Sequence, residues 1–231
     1  MTTVEDIKHA LGRLSSDGHH EVLSWLEQLV DTRHSGVREP QLSYPADDPP
    51  CMSLDEFLES TENDPLRYEF VNGVVRAMTG TSVAHGSIVG ELFAIIHHHL
   101  RGGPCQAFTA GPDLHIRSKR DQIQYIPDIL VACNPDEWSK NAICNPKLVV
   151  EILSPSTRHI DLREKSANYR RVASIDEYLV LEQSMCEVFV FRRAEGWRPQ
   201  LYSGVDVVVE LRSISLSIPL ADIYRRALPA G

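Results

Sequence analysis

The chain has 231 residues, of which 42% are hydrophobic and 24% charged, with a formal net charge of −9. That length supports one ordinary domain with a full core plus a small appendage. The acidic balance excludes a molecule that grips nucleic acid through overall positive charge, so any such binding needs a local basic patch.

The N-terminal stretch Met1-Thr2-Thr3-Val4-Glu5-Asp6 has neither a basic region nor an apolar one, so no signal peptide is expected. No apolar run reaches membrane-spanning length. Val4, Ile7, Leu11 and Leu14 fall at helical spacing, as do Val22, Leu23, Leu26, Leu29 and Val30. Ser16-Asp17-Gly18 separates them, which predicts a helical hairpin over 1–33. Such a hairpin cannot bury both apolar faces alone and calls for a partner chain or the main domain. Pro40, Pro45, Pro49 and Pro50 with Gly36 mark 34–52 as a linker.

The main domain is expected over 53–231. Ser53-Leu54-Asp55-Glu56 has the capping-box pattern and opens a short helix to about Thr61. Alternation on both sides of Asn72-Gly73 predicts a β-hairpin over 68–78. Ser82 to Leu100 reads as an amphipathic helix with Ile88, Leu92, Ile95, Ile96 and Leu100 inward. His85 near its start could contact phosphate, orient a carboxylate, cap or pack. His97-His98-His99 cannot converge on one ion, because consecutive helical residues point about 100° apart. Strands are expected over about 105–117, 123–133 and up to Leu153, then a helix from about His159 to Val172. Strands resume over 177–183, 187–193, 200–202 and 205–211, and a short helix opens after Pro219. The order is mixed α/β with most strands consecutive and antiparallel, flanked by helices. Five cysteines (Cys51, Cys105, Cys133, Cys144, Cys186) form no Cys-x-x-Cys pair. Neither a zinc ribbon nor a disulfide framework is expected, and a reduced cytoplasm fits.

Two acids stand out. Asp128 follows Pro127 inside Tyr125-Ile126-Pro127-Asp128-Ile129-Leu130-Val131, and Glu151 sits in Leu148-Val149-Val150-Glu151-Ile152-Leu153. A carboxylate in a buried aliphatic strand is costly unless paired, hydrogen-bonded or bound to a metal. Two such acids on neighbouring strands would suit Mg²⁺, with Mn²⁺ as a substitute, and point toward metal-assisted hydrolysis of a phosphodiester. Lys147 shares the strand face of Glu151 but lies roughly 13 Å away at ~3.3 Å per residue. Leu153, two residues on, carries no charge. A lysine could instead come from the next helix, where Asp161 and Lys165 fall on one face. The alternative is a solvated ion pair there, and a salt bridge for Glu151. Arg158, Arg163, Lys165, Arg170 and Arg171 on this helix form either a phosphate-contacting patch or a solvated face.

Proline-Asp, a strand bearing Glu and a nearby Lys resemble the PD-(D/E)XK nuclease superfamily. More closely, the chain from Tyr68 to Arg193 is similar to the Uma-two family of restriction-endonuclease-like proteins. The matching pieces are Tyr68-Glu69 with Asn72-Gly73, the Thr79–His85 helix entry, Gly111-Pro112-Asp113, Pro127-Asp128, Val149 through Thr157, and Asp161, Lys165 and Tyr169-Arg170-Arg171. The resemblance implies a restriction-endonuclease-like fold and a Mg²⁺-dependent endonuclease acting on DNA. It implies that Asp128 and Glu151 ligate the metal, that Lys165 replaces the lysine of the usual Glu-x-Lys, and that Glu69 is an auxiliary acid. The Ile152 carbonyl would be the third ligand. Leu153 is the departure from the superfamily pattern. A catalytically silent fold that binds through its N-terminal hairpin is the alternative from another class, and RNA the alternative substrate. A homodimer fits an enzyme whose one site cuts one strand.

Overall fold

The computed structural model describes residues 52–78 and 80–228. The hairpin and linker expected before residue 52 lie outside the described residues. Helix α1 (Leu54–Thr61) opens with the capping box: the Ser53 hydroxyl accepts the Glu56 amide while the Glu56 carboxylate accepts the Ser53 amide. Its buried Leu54 and Phe57 face Phe70, and the Phe57 and Phe70 rings stack at 5.0 Å. Strands β1 (Tyr68–Val71) and β2 (Val74–Ala77) pair antiparallel around Asn72 and Gly73, whose φ values are 49° and 92°. Two positive-φ residues make the tight turn whose twist matches a hairpin, and Asn-Gly adopts it at least cost.

Helix α2 (Val83–His99) carries a buried stripe of His85, Ile88, Leu92 and Ile96. Beyond it come β3 (Gln106–Thr109), β4 (Asp113–Arg117), β5 (Gln122–Tyr125), β6 (Ile129–Ala132) and the short β7 (Ala142–Ile143). Each of the two long strands expected over 105–117 and 123–133 is therefore broken into two, and the halves join different sheets. The breaks have local causes. Ala110 sits at φ 46° and precedes Gly111-Pro112, while Pro127 has no amide to donate to a ladder. Strand β8 (Leu148–Ile152) is followed by a π-helical turn over Ile160–Lys165 and helix α3 (Ser166–Arg171). Strands β9 (Glu177–Leu181), β10 (Glu187–Arg192) and β11 (Pro199–Ser203) follow. The chain closes with the hairpin β12 (Val208–Leu211) and β13 (Leu216–Pro219) and helix α4 (Leu220–Tyr224). Strand β13 was not anticipated, because its alternation spans only four residues.

The larger sheet has the order β11-β10-β9-β8-β6-β3, and a second sheet has the order β2-β1-β5-β4-β7. Pairing is antiparallel except for β8 with β9 and β4 with β7. Strand β8 is central and buried at all five positions, because both of its faces are covered. Val150 and Ile152 join Ile88, Leu92 and Ile96 of α2 in one core. Val149 and Leu153 join Tyr169, Tyr178, Tyr125 and Ile123 in the other. Glu151, in phase with Val149 and Leu153, belongs to that second face.

The cysteine reading needs correction. Cys105 and Cys133 are bonded to each other. The antiparallel register pairs Gln106 with Ala132, so the next position outward sets Cys105 against Cys133. Residues far apart in sequence are neighbours across a ladder, which no spacing rule reveals. The expected reduced setting loses the support it drew from unpaired thiols.

Arg192 and Glu177 form a buried ion pair at 2.8 Å, each 2% exposed. Glu177 also accepts the amides of Arg212 and Ser213, while Arg192 donates to Gln200, Tyr202 and the Glu210 carbonyl. Glu177→Ala removes the nearer of two carboxylates on this guanidinium, Glu195 being the other at 3.5 Å, and unpairs the Arg212 and Ser213 amides, so we expect a loss of about 3 kcal/mol of stability. Urea denaturation of the variant and wild type measures it.

Candidate active site

The site forms where β8, the end preceding β6, β1 and the π-helical turn meet. Ile129 pairs with Val150, so continuing that register by one places Asp128 opposite Glu151 on neighbouring antiparallel strands. The Ile152 amide donates to Asp128 Oδ2 at 2.7 Å, and Thr109 Oγ1 donates to the Asp128 carbonyl at 2.8 Å. The break at Pro127 thus turns Asp128 out of the ladder and toward the end of β8. His85 Nε2 lies 3.2 Å from the same Oδ2.

Lys165 reaches the strands from the helix. Its Nζ lies 2.8 Å from Glu69 Oε1, 3.0 Å from Glu151 Oε1 and 3.3 Å from Asp161 Oδ1. The residue is only 4% exposed, so the solvated-pair alternative does not describe it. The π turn explains the alignment. A turn closed by i→i+5 bonds is wider than an α-turn, so Asp161 and Lys165 stay nearly in line and both point at the sheet. Tyr169, four residues further on, donates from its hydroxyl to Glu151 Oε1 at 2.9 Å. Thr157 Oγ1 donates to Asp161 Oδ2 at 2.7 Å, and Tyr178 Oη to the Asp161 carbonyl at 3.0 Å. Glu69 Oε1 also accepts the Ile126 amide at 3.3 Å. The donors on Glu151 fall on Oε1 and those on Asp128 on Oδ2, so the other oxygen of each is the one to offer a cation.

A flank of polar residues holds the helix in place. Arg76 donates through both terminal nitrogens to Glu164, at 2.7 and 2.6 Å, and Tyr125 Oη donates to the same carboxylate at 2.9 Å. Burial works to raise Glu164, but the forked guanidinium outweighs it and leaves the carboxyl below its usual range. This clamp ties β2 to the residue next to Lys165, and nothing in the local sequence pattern announced it.

Charge is unbalanced in the interior. Burial, and then the nearby Asp161, Asp128 and Glu69 carboxylates, push Glu151 well above the ordinary carboxylate range, against the pull of Lys165. Asp161 is raised as well, chiefly by burial. Burial disfavours the Lys165 ammonium, yet Glu151, Glu69 and Asp161 together hold it above its usual value. His85 is raised too; burial opposes this, and the Asp128 carboxylate decides it. Burial holds the Tyr169 phenol well above its usual value, so it remains a neutral donor. One ammonium and one imidazole face Glu69, Asp128, Glu151 and Asp161. That excess of carboxylate oxygens is the donor chemistry that a hard divalent cation satisfies. Among the described residues, no three side chains of His, Cys, Asp or Glu form a metal cluster by themselves. A cation here would need the backbone carbonyl of Ile152 or water as well.

Other candidates went elsewhere. Lys147 pairs with Asp176 at 2.8 Å, and Asp113 with Arg67 at 3.2 Å. Arg158 pairs with Glu182, Arg171 with Asp121, and Arg170 lies over the Phe191 ring. His99 Nε2 meets the Ile214 carbonyl, so His97, His98 and His99 make no common site. Tyr169 was missed as a site residue. The signal available was its i+4 phase with Lys165, which extends the Asp161–Lys165 stripe by one step.

The Uma2 family model, described as "Putative restriction endonuclease", matches residues 54–222. The chain belongs to the Uma2 family. It is 33% identical over 179 residues to "Uncharacterized protein slr1290" of Synechocystis sp., an alignment covering 76% of this chain and 93% of that protein. A second Synechocystis protein, "Uncharacterized protein sll1609", is 24% identical over 131 residues, covering 55% and 73% respectively. Among solved structures, a putative nuclease belonging to DUF820 from Anabaena variabilis superposes with a TM-score of 0.65 at 19% identity, covering 77% of this chain and 99% of that one. At that identity the likeness concerns the fold. This Uma2 chain therefore has a restriction-endonuclease-like fold: large, mostly antiparallel sheets with few helices. The α2 and β8 segments and the π-helical turn all fall inside the matched region. Among the described residues no helix is long and apolar enough to cross a membrane.

Proposed function

We propose that this Uma2 protein is a metal-dependent endonuclease that hydrolyses DNA phosphodiester bonds. The observation that supports it best is Lys165 Nζ at 3.0 Å from Glu151, with Asp128 opposite Glu151 on the next strand. Asp128, Glu151 and the Ile152 carbonyl would hold Mg²⁺, or Mn²⁺ in its place. When bound, the ion polarises the scissile phosphate and makes a coordinated water more acidic. Lys165 orients the attacking water and offsets negative charge gathering on the phosphate. Glu69, at 2.8 Å from Nζ, aims that ammonium and serves as the auxiliary acid. Tyr169 keeps Glu151 in one rotamer through Oε1. Because the lysine comes from the helix, Leu153 is free to pack with Tyr169 and Tyr178 in the core. The expected substrate is DNA. Cutting both strands of a duplex calls for two copies of the chain, and a homodimer meets that need.

The test is incubation of purified full-length protein with supercoiled plasmid, with Mg²⁺, with Mn²⁺ and with EDTA. Nicked or linear product with either metal and none with EDTA is expected. A single-stranded RNA substrate run in parallel decides between DNA and RNA. The second reading is a nuclease fold that binds without cutting. It is favoured by the engagement of Lys165 with Glu69, Glu151 and Asp161 together, which commits its charge internally. Intact plasmid under every metal condition, with no heat of Mn²⁺ binding in calorimetry, would favour that reading.

A further inference from the structure

His85 is a buried titratable group at this site that the proposed chemistry leaves without a task. It sits at the N-terminal end of α2, in phase with Ile88, Leu92 and Ile96. Ser82 caps the helix by accepting the His85 amide at 3.0 Å, which pins the residue to the first turn. The packed stripe then presents the ring to the ends of β6 and β8, on the α2 side of the large sheet. There Nε2 lies 3.2 Å from Asp128 Oδ2, the same oxygen that accepts the Ile152 amide at 2.7 Å. A carboxylate only accepts, so Nε2 is the donor in the first contact. Asp128 is one of the three groups proposed to hold the cation. Lys165 and Tyr169 steady another, Glu151, from the helix that follows β8.

We propose that His85 is the positioning residue of the metal centre, fixing the Asp128 rotamer so that its other carboxylate oxygen addresses the cation. This rests on the metal centre proposed above. Ligating carboxylates are commonly held by such outer hydrogen bonds, and losing one costs about 10–100-fold in metal affinity. Packing alone would give a different pattern, because a glutamine side chain can carry an amide donor to about the place of Nε2 while lacking the ring.

The experiment is calorimetric titration of Mn²⁺ into full-length wild type, His85→Ala, His85→Gln and Glu151→Gln, each with its melting temperature in EDTA. Wild type should bind Mn²⁺ and Glu151→Gln should not. His85→Ala should bind about 10–100-fold more weakly, and His85→Gln should return to within about threefold of wild type. If His85→Ala does not fold, the glutamine variant decides alone: affinity near wild type supports the role, and a tenfold loss overturns it. Mn²⁺ affinity unchanged in His85→Ala overturns the role while leaving the metal centre standing. No binding by wild type overturns the metal centre and the role of His85 with it.

Discussion

Asp128→Asn and Glu151→Gln are each expected to lower metal-dependent DNA cleavage by at least about 10³-fold. The magnitude follows from the several kcal/mol of charge stabilisation that a catalytic cation supplies, at 1.36 kcal/mol per decade of rate. Both substitutions keep shape and hydrogen-bonding capacity while removing a charge, so the fold should survive. Glu151→Gln even relieves the crowding that raises Glu151, where burial and the Asp161, Asp128 and Glu69 carboxylates all disfavour its ionised form. We therefore expect its melting temperature in EDTA to equal or exceed that of wild type. Loss of cleavage with stability kept is the pattern of a site residue; loss of both would mark a structural one. Plasmid nicking rates and thermal denaturation on the same preparations separate the two. Either variant cutting as fast as wild type would remove that residue from the site.

Lys165→Met is the second substitution with a large expected effect, and it acts on both stability and rate. An exposed Asp–Lys pair one turn apart contributes only ~0.3–0.5 kcal/mol. Lys165 is buried among Glu69, Glu151 and Asp161, and removing the cation leaves their charges uncompensated, which should cost about 3–5 kcal/mol. The rate should fall by about 10²–10³-fold, the usual consequence of losing a charged donor at a developing oxyanion. The loss of stability should depend on pH with a definite sign. Glu151 and Asp161 are raised in the folded protein, so the native state holds protons that the unfolded chain releases above the ordinary carboxylate range. Their contribution to stability is full at low pH and declines as pH rises through the raised folded values. Lys165 opposes the rise in wild type, so Lys165→Met should show the decline more strongly than wild type does. Urea denaturation at about pH 5.5 and about pH 8 should find the variant closer to wild type at the lower pH. A pH-independent loss below about 1 kcal/mol would mean that the pair behaves as an exposed one.

Much of this arrangement was legible from local rules. The capping box at Ser53, the Asn72-Gly73 turn and the inward stripe of α2 each follow from a few adjacent residues. Asp128 and Glu151 stood out because a charge inside an aliphatic strand demands a partner, and the register places them opposite one another. What local rules could not supply was anything fixed by distant pairing. The breaks at Ala110 and Pro127 send strand halves into separate sheets, and the Cys105–Cys133 bond depends on the β3–β6 register. The π-helical turn is the clearest case. Asp161 and Lys165 are four apart in either kind of helix, so the sequence pattern fits a solvated pair as well as a buried one. Only the two sheets packed beneath, bringing Glu69 of β1 and Glu151 of β8 under Nζ, distinguish them. The Arg76–Glu164 clamp is invisible for the same reason, since 88 residues separate its ends.

The central claim is that Asp128, Glu151 and the Ile152 carbonyl surround one divalent cation beside Lys165. An anomalous difference map from a crystal soaked in Mn²⁺ tests it most directly. The account predicts one strong peak within about 2.0–2.3 Å of a carboxylate oxygen from each of Asp128 and Glu151, with Lys165 still against Glu151. A map with no peak between these acids at saturating Mn²⁺, or with the ion bound elsewhere on the chain, would contradict it.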